Sequence, residues 1–539
     1  MANNNTRSLS GRKELRQNLF EEIATLASQK ATNDSFKHLA DEFLMNDSTV
    51  FATTSFYDFT RDENRQHKIH ICNGSACLTA GTQNKIKTEL EKHFTENEIG
   101  HVACLGHCHK NSAIMYDSKT YSVDESMPVE KIVKDKPVVK NLYYVGSDTH
   151  AILTAPVSDI AEFFSLAESL KTAPEKVIQE IKTSGLRGRG GAGFPFYFKA
   201  EAVLKEKNKQ KYIVCNADEG DPGAYSDMYL LENQPYKVLF GMYISGLITG
   251  ADTGVVYIRG EYPESIRVAQ KSILMLKDLN LTPGFRWKII GGQGAYICGE
   301  ETALLNSIEG LRPEVRVRPP FPAQYGLFGK PTVLSNVESF ANLHWILQNG
   351  GEAFASIGTQ KSTGTKLVSL DSHFNRPGIY EVEMGTPIQE IIDVHGKGFN
   401  KAIKAVQVGG PLGGIVPVEK LKNLTLDFES FSKAGFLLGH ASFVCIPNDF
   451  PMIRYLEHLM KFTADESCGK CFPCRIGSFR GYEMLVKAQQ EEYKIDKALF
   501  NDLLETLQLG SLCALGGGIP LPVRNALQYF DEELKNYFN

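Results

Sequence analysis

Two segments decide the fold: Ser184-Gly-Leu-Arg-Gly-Arg-Gly-Gly-Ala-Gly193-Phe194-Pro195 and Tyr212-Ile-Val-Cys-Asn216-Ala-Asp218-Glu219-Gly-Asp221-Pro-Gly223. The first packs five glycines into the nine positions from Gly185 to Gly193. Such a loop lets the backbone approach a phosphate closely and aim N–H groups at it. Arg187 and Arg189 add positive charge. The loop lacks the closing Gly-Lys-Ser/Thr of a P-loop. Gly188, Gly190 and Gly193 spell G-x-G-x-x-G, but no strand directly precedes them, so the dinucleotide fingerprint fails on context. The second segment starts as a buried strand and ends with Asp218, Glu219 and Asp221, three carboxylates in four positions. That crowding is unfavourable unless the groups bind something, such as ribose hydroxyls or an amide. A solvated turn is the alternative.

Working outward, buried-strand runs at 212–215, 255–258 and 288–290 alternate with helical runs at 264–276, 301–308 and 336–347. This alternation predicts an α/β domain with ligand sites at the loops after the strands. Gly291-Gly-Gln-Gly-Ala-Tyr296-Ile-Cys-Gly299-Glu300-Glu301 is one such strand–loop–helix junction. Its carboxylates stand at a helix start, where the macrodipole favours them; simple helix capping accounts for them equally. Phe321, in Arg318-Pro-Pro-Phe321-Pro-Ala, is either a stacking ring or a core residue.

The chain also carries eleven cysteines among 539 residues. Cys72-x4-Cys77 and Cys104-x3-Cys108 form one quartet, each pair just after a strand-like run. Cys468-x2-Cys471-x2-Cys474 places three thiolates on one tight turn, and Cys513 is the downstream candidate for a fourth. Soft thiolates suit iron–sulfur clusters or zinc. For the first quartet, zinc would have His107 and His109 as spare ligands. Cys215, Cys298 and Cys445 fit no ligand spacing and read as buried small hydrophobes.

Composition narrows the class. At about 150 residues per domain the length implies three or four domains. The 58 basic and 63 acidic residues nearly balance, so nucleic acid has no compositional support. The opening residues 1–17 lack a signal-peptide core. The longest apolar run, 238–251, is too short to span a membrane. The expectation is a cytoplasmic protein without direct membrane insertion, in which clustered cysteines serve metals or redox centres.

The expected layout begins with a helical segment over 1–65, where Leu15, Leu19, Ile23 and Leu26 fall at helical spacing. A cysteine-bearing domain follows at 66–125, with strands near 68–71, 112–116 and 119–123 and a helix at 84–94. Residues 126–172 read as a linker. The α/β domain spans 173–360, a small α+β domain 361–435, and a helical domain 436–539.

In this order the motifs resemble one family. GLRGRGGAGFP (185–195), YIVCNADEGDPG (212–223), YIRGEY (257–262), GAYICGEETALLNSIEG (294–310), RPPFPA (318–323), STGTKLVSL (362–370) and ESCGKCFPCR (466–475) resemble the flavin- and NADH-binding subunit of respiratory complex I and its relatives in soluble hydrogenases and formate dehydrogenases. The resemblance covers about 180–539. The stretch 66–125 resembles a thioredoxin-like [2Fe–2S] domain, and such a fusion is similar to the diaphorase subunit of NAD(P)-linked nickel–iron hydrogenases. The implied fold is multi-domain α/β: a thioredoxin-like ferredoxin domain, a Rossmann-like FMN domain, a ubiquitin-like SLBB domain and a helical [4Fe–4S] domain.

The resemblance also implies roles. Gly188, Arg189, Gly190, Gly191, Ala192, Gly193 and Phe194 cradle FMN, and Lys199, Asn216, Asp218, Tyr296, Gly299 and Asn336 contact it. Glu219, Glu300 and Glu301 lie near the nicotinamide nucleotide, with Asp221 and Arg318 on the same side. Phe194 and Phe321 sandwich the adenine, and Ala514 and Leu515 join the cofactor-binding set. Cys72, Cys77, Cys104 and Cys108 hold [2Fe–2S]; Cys468, Cys471, Cys474 and Cys513 hold [4Fe–4S]. Ala202 stands where some members carry an aromatic, and Arg318, Asp221 and Ser335 replace a common Lys, Glu and Asn. NAD(H) or NADP(H) therefore remain alternative substrates. The implied activity is NAD(P)H dehydrogenation: hydride exchange with FMN, then single electrons through the clusters to a partner, with no catalytic side chain in the chemical step. Implied partners are a small [2Fe–2S] subunit and an iron–sulfur relay subunit of a soluble hydrogenase, with a formate dehydrogenase or a complex I-like assembly as alternatives.

Overall fold

A computed structural model describes residues 14–138, 143–148, 150–490 and 492–539. Residues 1–13 of the opening stretch, and 139–142 and 149 of the expected linker, lie outside them. The N-terminal helices Leu19–Ser28, Asn33–Glu42 and Asp47–Thr54 close on a small core of Leu19, Ile23, Phe36, Leu39 and Val50. They are anchored to the α/β domain, for example by Asn18 Nδ2 donating to the Ile308 carbonyl at 2.7 Å.

The cysteine-bearing unit is a four-stranded sheet. Its strands β1 (Ile69–Cys72), β2 (Ile99–Val102), β3 (Ala113–Tyr116) and β4 (Lys119–Ser122) lie in the order β2-β1-β3-β4. β1 pairs parallel with β2, and β3 antiparallel with both β1 and β4. Ile86 and Leu90 of helix Gln83–Leu90, and Val129 and Ile132 of helix Val129–Asp135, pack against Ile69, Ile71 and Ile114. The last of these helices corrects the boundary expected at 125, because its apolar face belongs to this unit's core.

The expected linker 126–172 is divided among three units. After helix Val129–Asp135, strand β5 (Tyr144–Ser147) pairs parallel with the distant β11 (Gly378–Glu383). Helix Ile160–Leu170 then buries Phe164 and Ala167 in the α/β core.

In the α/β domain β6 (Tyr212–Ala217), β7 (Thr253–Ile258), β8 (Arg286–Gly291) and β9 (Thr332–Asn336) form an all-parallel sheet ordered β8-β7-β6-β9. β7 is buried along its whole length, as a strand covered on both faces must be. The apolar run near 238–251 is the core helix Pro235–Thr249, started by Pro235 and stopped by Gly250 at φ +76°. Among the described residues no helix is long and apolar enough to cross a membrane. The loops after β6, β8 and β9 open on one edge of the sheet, where ligands bind in open α/β folds.

The small α+β unit is larger than 361–435. Its strands β10 (Thr365–Leu370), β11, β12 (Ile403–Val408), β13 (Gly414–Pro417) and β14 (Ser442–Pro447) join β5 in the order β13-β12-β14-β10-β11-β5. β14 lies in the middle of this sheet, so the expected boundary at 435 cuts off a central strand. Helices Met452–Asp465, Ser478–Gln490, Lys497–Gly510 and Pro520–Tyr529 then pack through Leu456, Leu459, Leu504, Leu507 and Val523.

Candidate functional site

The first cysteine quartet comes together at the end of the small sheet. Cys72 ends β1, Cys77 lies in helix Ser75–Ala80, and Cys104 and Cys108 lie on the loop after β2. All four are buried. The Cys104 and Cys108 sulfurs are 3.8 Å apart. Backbone N–H groups of Gly106 and Gly223 donate to Cys104 Sγ (3.4 Å) and Cys108 Sγ (3.2 Å). Hydrogen bonds from Cys108 and Cys72 hold Cys104 well below the usual thiol range; the same contacts, with burial, push Cys72 and Cys108 up. Of the neighbouring histidines one is hydrogen-bonded and the other is packed among aromatic rings, its Nδ1 unpaired among the described residues. His107 Nδ1 meets Ser122 Oγ at 2.8 Å, and the His109 ring lies against Tyr143 and Tyr225. The donor set is therefore four cysteine sulfurs, with N–H groups aimed at two of them, which fits an iron–sulfur cluster.

This loop is seated against the flanking domains. Arg259 Nη2 donates to the Cys104 carbonyl at 2.7 Å, the Ser372 N–H to the Cys108 carbonyl at 3.1 Å, and Ser75 Oγ lies 3.1 Å from His458 Nε2.

The second quartet sits where the helical domain meets the loop after β8. Cys468 and Cys474 are buried, Cys471 and Cys513 half-buried, and all four share an apolar cluster with Ile297 and Leu515. Ser467 Oγ lies 3.3 Å from Cys474 Sγ, and Arg312 reaches the Cys468 carbonyl. Burial pushes the Cys474 thiol up to about 11 and Cys513 to about 12. Cys513 stands just before helix Ala514–Gly518, next to the turn that carries the other three. Three sulfurs on one turn and a fourth from a facing helix start fit a cubane cluster.

Beside the second quartet, with Cys513 in its lining, opens a cavity of 1690 Å³. An ordinary ligand pocket has roughly 300–1,000 Å³, so this one has room for more than one ligand. The glycine-rich loop enters from helix Pro174–Thr183, and not from a strand, and closes through Gly188 N–H to the Phe194 carbonyl at 2.8 Å. Gly191 (φ +117°) and Gly193 (φ +60°) hold backbone conformations that side chains disfavour. A Cβ on Gly190 would press on Asn336 at 3.0 Å.

Gly188, Gly190, Gly191, Ala192, Gly193, Phe194, Lys199, Asn216, Asp218, Glu219, Asp221, Tyr296, Gly299, Glu300, Glu301, Arg318, Phe321, Asn336, Ala514 and Leu515 all line this cavity. Arg189 does not. Its buried side chain turns away and donates to the Thr363 carbonyl at 2.6 Å, while its backbone N–H holds Ser339. It pins the loop to the neighbouring domain and contributes no charge to the cavity lining.

Polar groups converge inside. Lys199 Nζ is held by the Leu334 carbonyl at 3.0 Å and Glu301 at 3.5 Å. Asn216 Nδ2 donates to the Gly299 carbonyl at 2.8 Å. Asp218 is pushed well above the usual carboxylate range by burial, and its Oδ2 has no partner among the described residues. Such a group wants a donor, which fits a ligand with ring N–H or hydroxyl groups. Glu300 Oε2 caps helix Glu301–Ile308 through the Thr302 and Ala303 N–H groups, so capping is part of its role. Glu301 Oε1 pairs with Arg318 at 2.7 Å near the mouth. Phe194 and Phe321 are about half exposed there, which an apolar core position would not permit.

Three regions of the chain match family models: the Nuo51 FMN-binding domain over 181–345, the NADH-ubiquinone oxidoreductase-F iron–sulfur binding region over 454–537, and thioredoxin-like [2Fe–2S] ferredoxin over 22–136. The NADP-reducing hydrogenase subunit HndC of Solidesulfovibrio fructosivorans is 42% identical over 379 residues, which is 68% of this chain and 77% of the relative. The chain belongs to the family of NADH-oxidoreductase flavoprotein subunits. It is an oxidoreductase subunit with FMN-binding, [4Fe–4S] and [2Fe–2S] domains. Another family member, the NAD-reducing hydrogenase HoxS subunit alpha of Cupriavidus necator, is 32% identical over 532 residues, covering 90% of this chain and 85% of the relative. A crystal structure of NAD+-reducing [NiFe]-hydrogenase in the H2-reduced state contains a chain that superposes with TM-score 0.85 at 26% identity, covering 97% of this chain and 92% of that one.

The cavity lining also includes residues that the sequence does not single out, among them Phe198, Asp227 and His440. Phe198 sits edge-on to Phe194, with ring centroids 5.6 Å apart. Asp227 had a local signal, since it opens the helix after the acidic strand end. His440 had none: it reaches the cavity only because β14 belongs to the neighbouring sheet.

Proposed function

We propose that this chain is the diaphorase subunit of a soluble NAD(P)-linked hydrogenase complex. It exchanges electrons with NAD(P)H in the 1690 Å³ cavity and passes them through its iron–sulfur domains to partner subunits. The observation that carries the reading is whole-chain correspondence. The match to the NAD+-reducing hydrogenase chain runs over 97% of this chain, N-terminal cysteine domain included. The small [2Fe–2S] subunit and the iron–sulfur relay subunit expected from the sequence are the proposed partners.

Bound FMN supplies the exchange between a two-electron carrier and one-electron carriers. The chain binds and orients. Backbone N–H groups from Gly190 to Gly193 would serve the phosphate, and Lys199, Asn216 and Asp218 would hold the ring. Phe194 and Phe321 offer faces for adenine stacking, and Arg318 with Glu301 sets the charge at the mouth. No side chain is needed as acid or base, so catalysis rests on positioning. Cys513, Ala514 and Leu515 border the cavity directly, which supports electron exit through the C-terminal quartet.

The test is purification with companion subunits from the native host. Hydrogen-dependent reduction of NAD+ or NADP+ supports the reading. Formate-dependent reduction by the purified complex, without response to hydrogen, replaces it with the formate dehydrogenase reading.

A further inference from the structure

His440 stands out among the groups not absorbed above. Its ring is buried between two carboxylates at the cavity floor. Nδ1 lies 3.7 Å from Glu219 Oε1 and 3.4 Å from Ser226 Oγ; Nε2 lies 3.5 Å from Asp227 Oδ2. The ligand atoms of Glu219, Asp227 and His440 all lie within 4.8 Å of one another.

A metal ion is the first reading of such a cluster, but the donors argue against it. Glu219 Oε1 already accepts from the Asp227 N–H (2.9 Å) and Ser226 Oγ (3.2 Å), and Oε2 from the Met228 N–H (3.0 Å) and Tyr262 Oη (3.3 Å). That leaves Glu219 little lone-pair capacity for a cation. Asp227 Oδ2 accepts from Asn336 Nδ2 at 2.6 Å; Asp227 Oδ1 and His440 Nε2 have no hydrogen-bond partner among the described residues, but two open atoms are fewer than a cation site needs.

The charges instead balance around the imidazole. Glu219 comes from the loop after β6, Asp227 from helix Ser226–Asn233, and Lys366 from β10. Lys366 is tied to Glu338, and Arg259 is paired with Glu261. His440 is left as the cation for two acids. Burial works against its charge, but Asp227 and Glu219 outweigh burial and Lys366, and raise it to about 9. The backbone of Gly439–His440 meanwhile lies against Gly191 of the glycine-rich loop.

We propose that His440 is a charge-holding positioning residue of the flavin cavity: its imidazolium, set between Glu219 and Asp227, favours the reduced flavin over the oxidised one. Without that imidazolium the two carboxylates stand uncompensated beside the cavity, and in a site shielded from water their charge acts strongly against negative charge gained there. The inference rests on the cavity being the flavin site.

The test is redox titration of the FMN-loaded complex over pH 6–10, in the native protein and in His440→Gln and His440→Lys. His440→Gln lowers the affinity for reduced relative to oxidised flavin about tenfold, which is about 30 mV on a two-electron couple. His440→Lys restores the native value, which a merely structural role would not do. In the native protein the pH dependence of the midpoint bends near pH 9, and in His440→Gln it does not. Identical midpoints in all three proteins overturn the inference. If His440→Gln does not retain FMN, the native titration decides: a bend near pH 9 supports the inference, and its absence overturns it. Native protein that purifies without FMN defeats the reading of the cavity itself, which is a different failure.

Discussion

The Tyr296 hydroxyl donates a hydrogen bond to Asp221 Oδ1 at 2.7 Å, and its backbone N–H is held by Glu466 Oε2 at 2.8 Å. One residue therefore joins the acidic end of β6 to the turn that carries Cys468, Cys471 and Cys474. Its ring also stands edge-on to Phe462 at 4.9 Å.

Tyr296→Phe should keep the ring contact and strip the hydroxyl. Asp221 is half-buried, so leaving it short of a donor costs about 1 kcal/mol. The expected result is a lower melting temperature and weaker FMN retention, with the [4Fe–4S] signal intact. Thermal unfolding and flavin release measure both.

Arg318→Ala should act at the mouth. Arg318 pairs with Glu301 at 2.7 Å and approaches Glu300 at 3.8 Å. Its loss removes a cation from the proposed nucleotide side and leaves Glu301 less balanced. KM for NAD(P)H should rise roughly tenfold with kcat little changed, the signature of lost uniform binding. A fall in kcat at constant KM would place Arg318 elsewhere in the cycle.

Cysteine substitutions should separate the two clusters. Cys474→Ala should lose the [4Fe–4S] signal in electron paramagnetic resonance and retain FMN. Cys72→Ala should lose only the [2Fe–2S] signal. Concerted loss of both signals and the flavin would contradict independent quartets.

Through Glu219 and His440 stability should fall as pH rises, most plainly above about 6.5, where His70, His107, His344 and His458, lowered to about 4 by burial, no longer oppose the trend. Burial and the nearby Asp227 raise Glu219 to about 7, so the folded state holds a proton that the unfolded state has released above about 4.5. The stabilisation is lost as pH rises towards 7. His440, at about 9 against an unfolded value near 6.5, acts in the same direction: its contribution is complete below 6.5 and gone above 9. Melting curves of the FMN-loaded protein at pH 5, 7 and 9 check this, and His440→Gln should flatten the upper half.

Legibility in the sequence followed locality. The C-terminal quartet was readable because three ligands fall within seven positions, and the glycine-rich loop because its composition is itself the signal. Helix Val129–Asp135 and strand β5 were read as linker because a short strand such as Tyr144–Ser147 gains its meaning only from β11, more than 200 residues away. Arg189 looked like a phosphate ligand beside Arg187, and only tertiary packing shows it pinned to Thr363. His440 lies outside every motif. It enters the cavity because β14 pairs with β10 and β12, and no local spacing encodes that.

The most direct test of the central claim is dye reduction by the purified, FMN-loaded protein with NADH and, separately, NADPH. Viologen reduction is expected with at least one nucleotide, weakened at low nucleotide concentration in Arg318→Ala. Failure of both nucleotides to reduce the dye, in protein shown to hold FMN and both clusters, would contradict the claim.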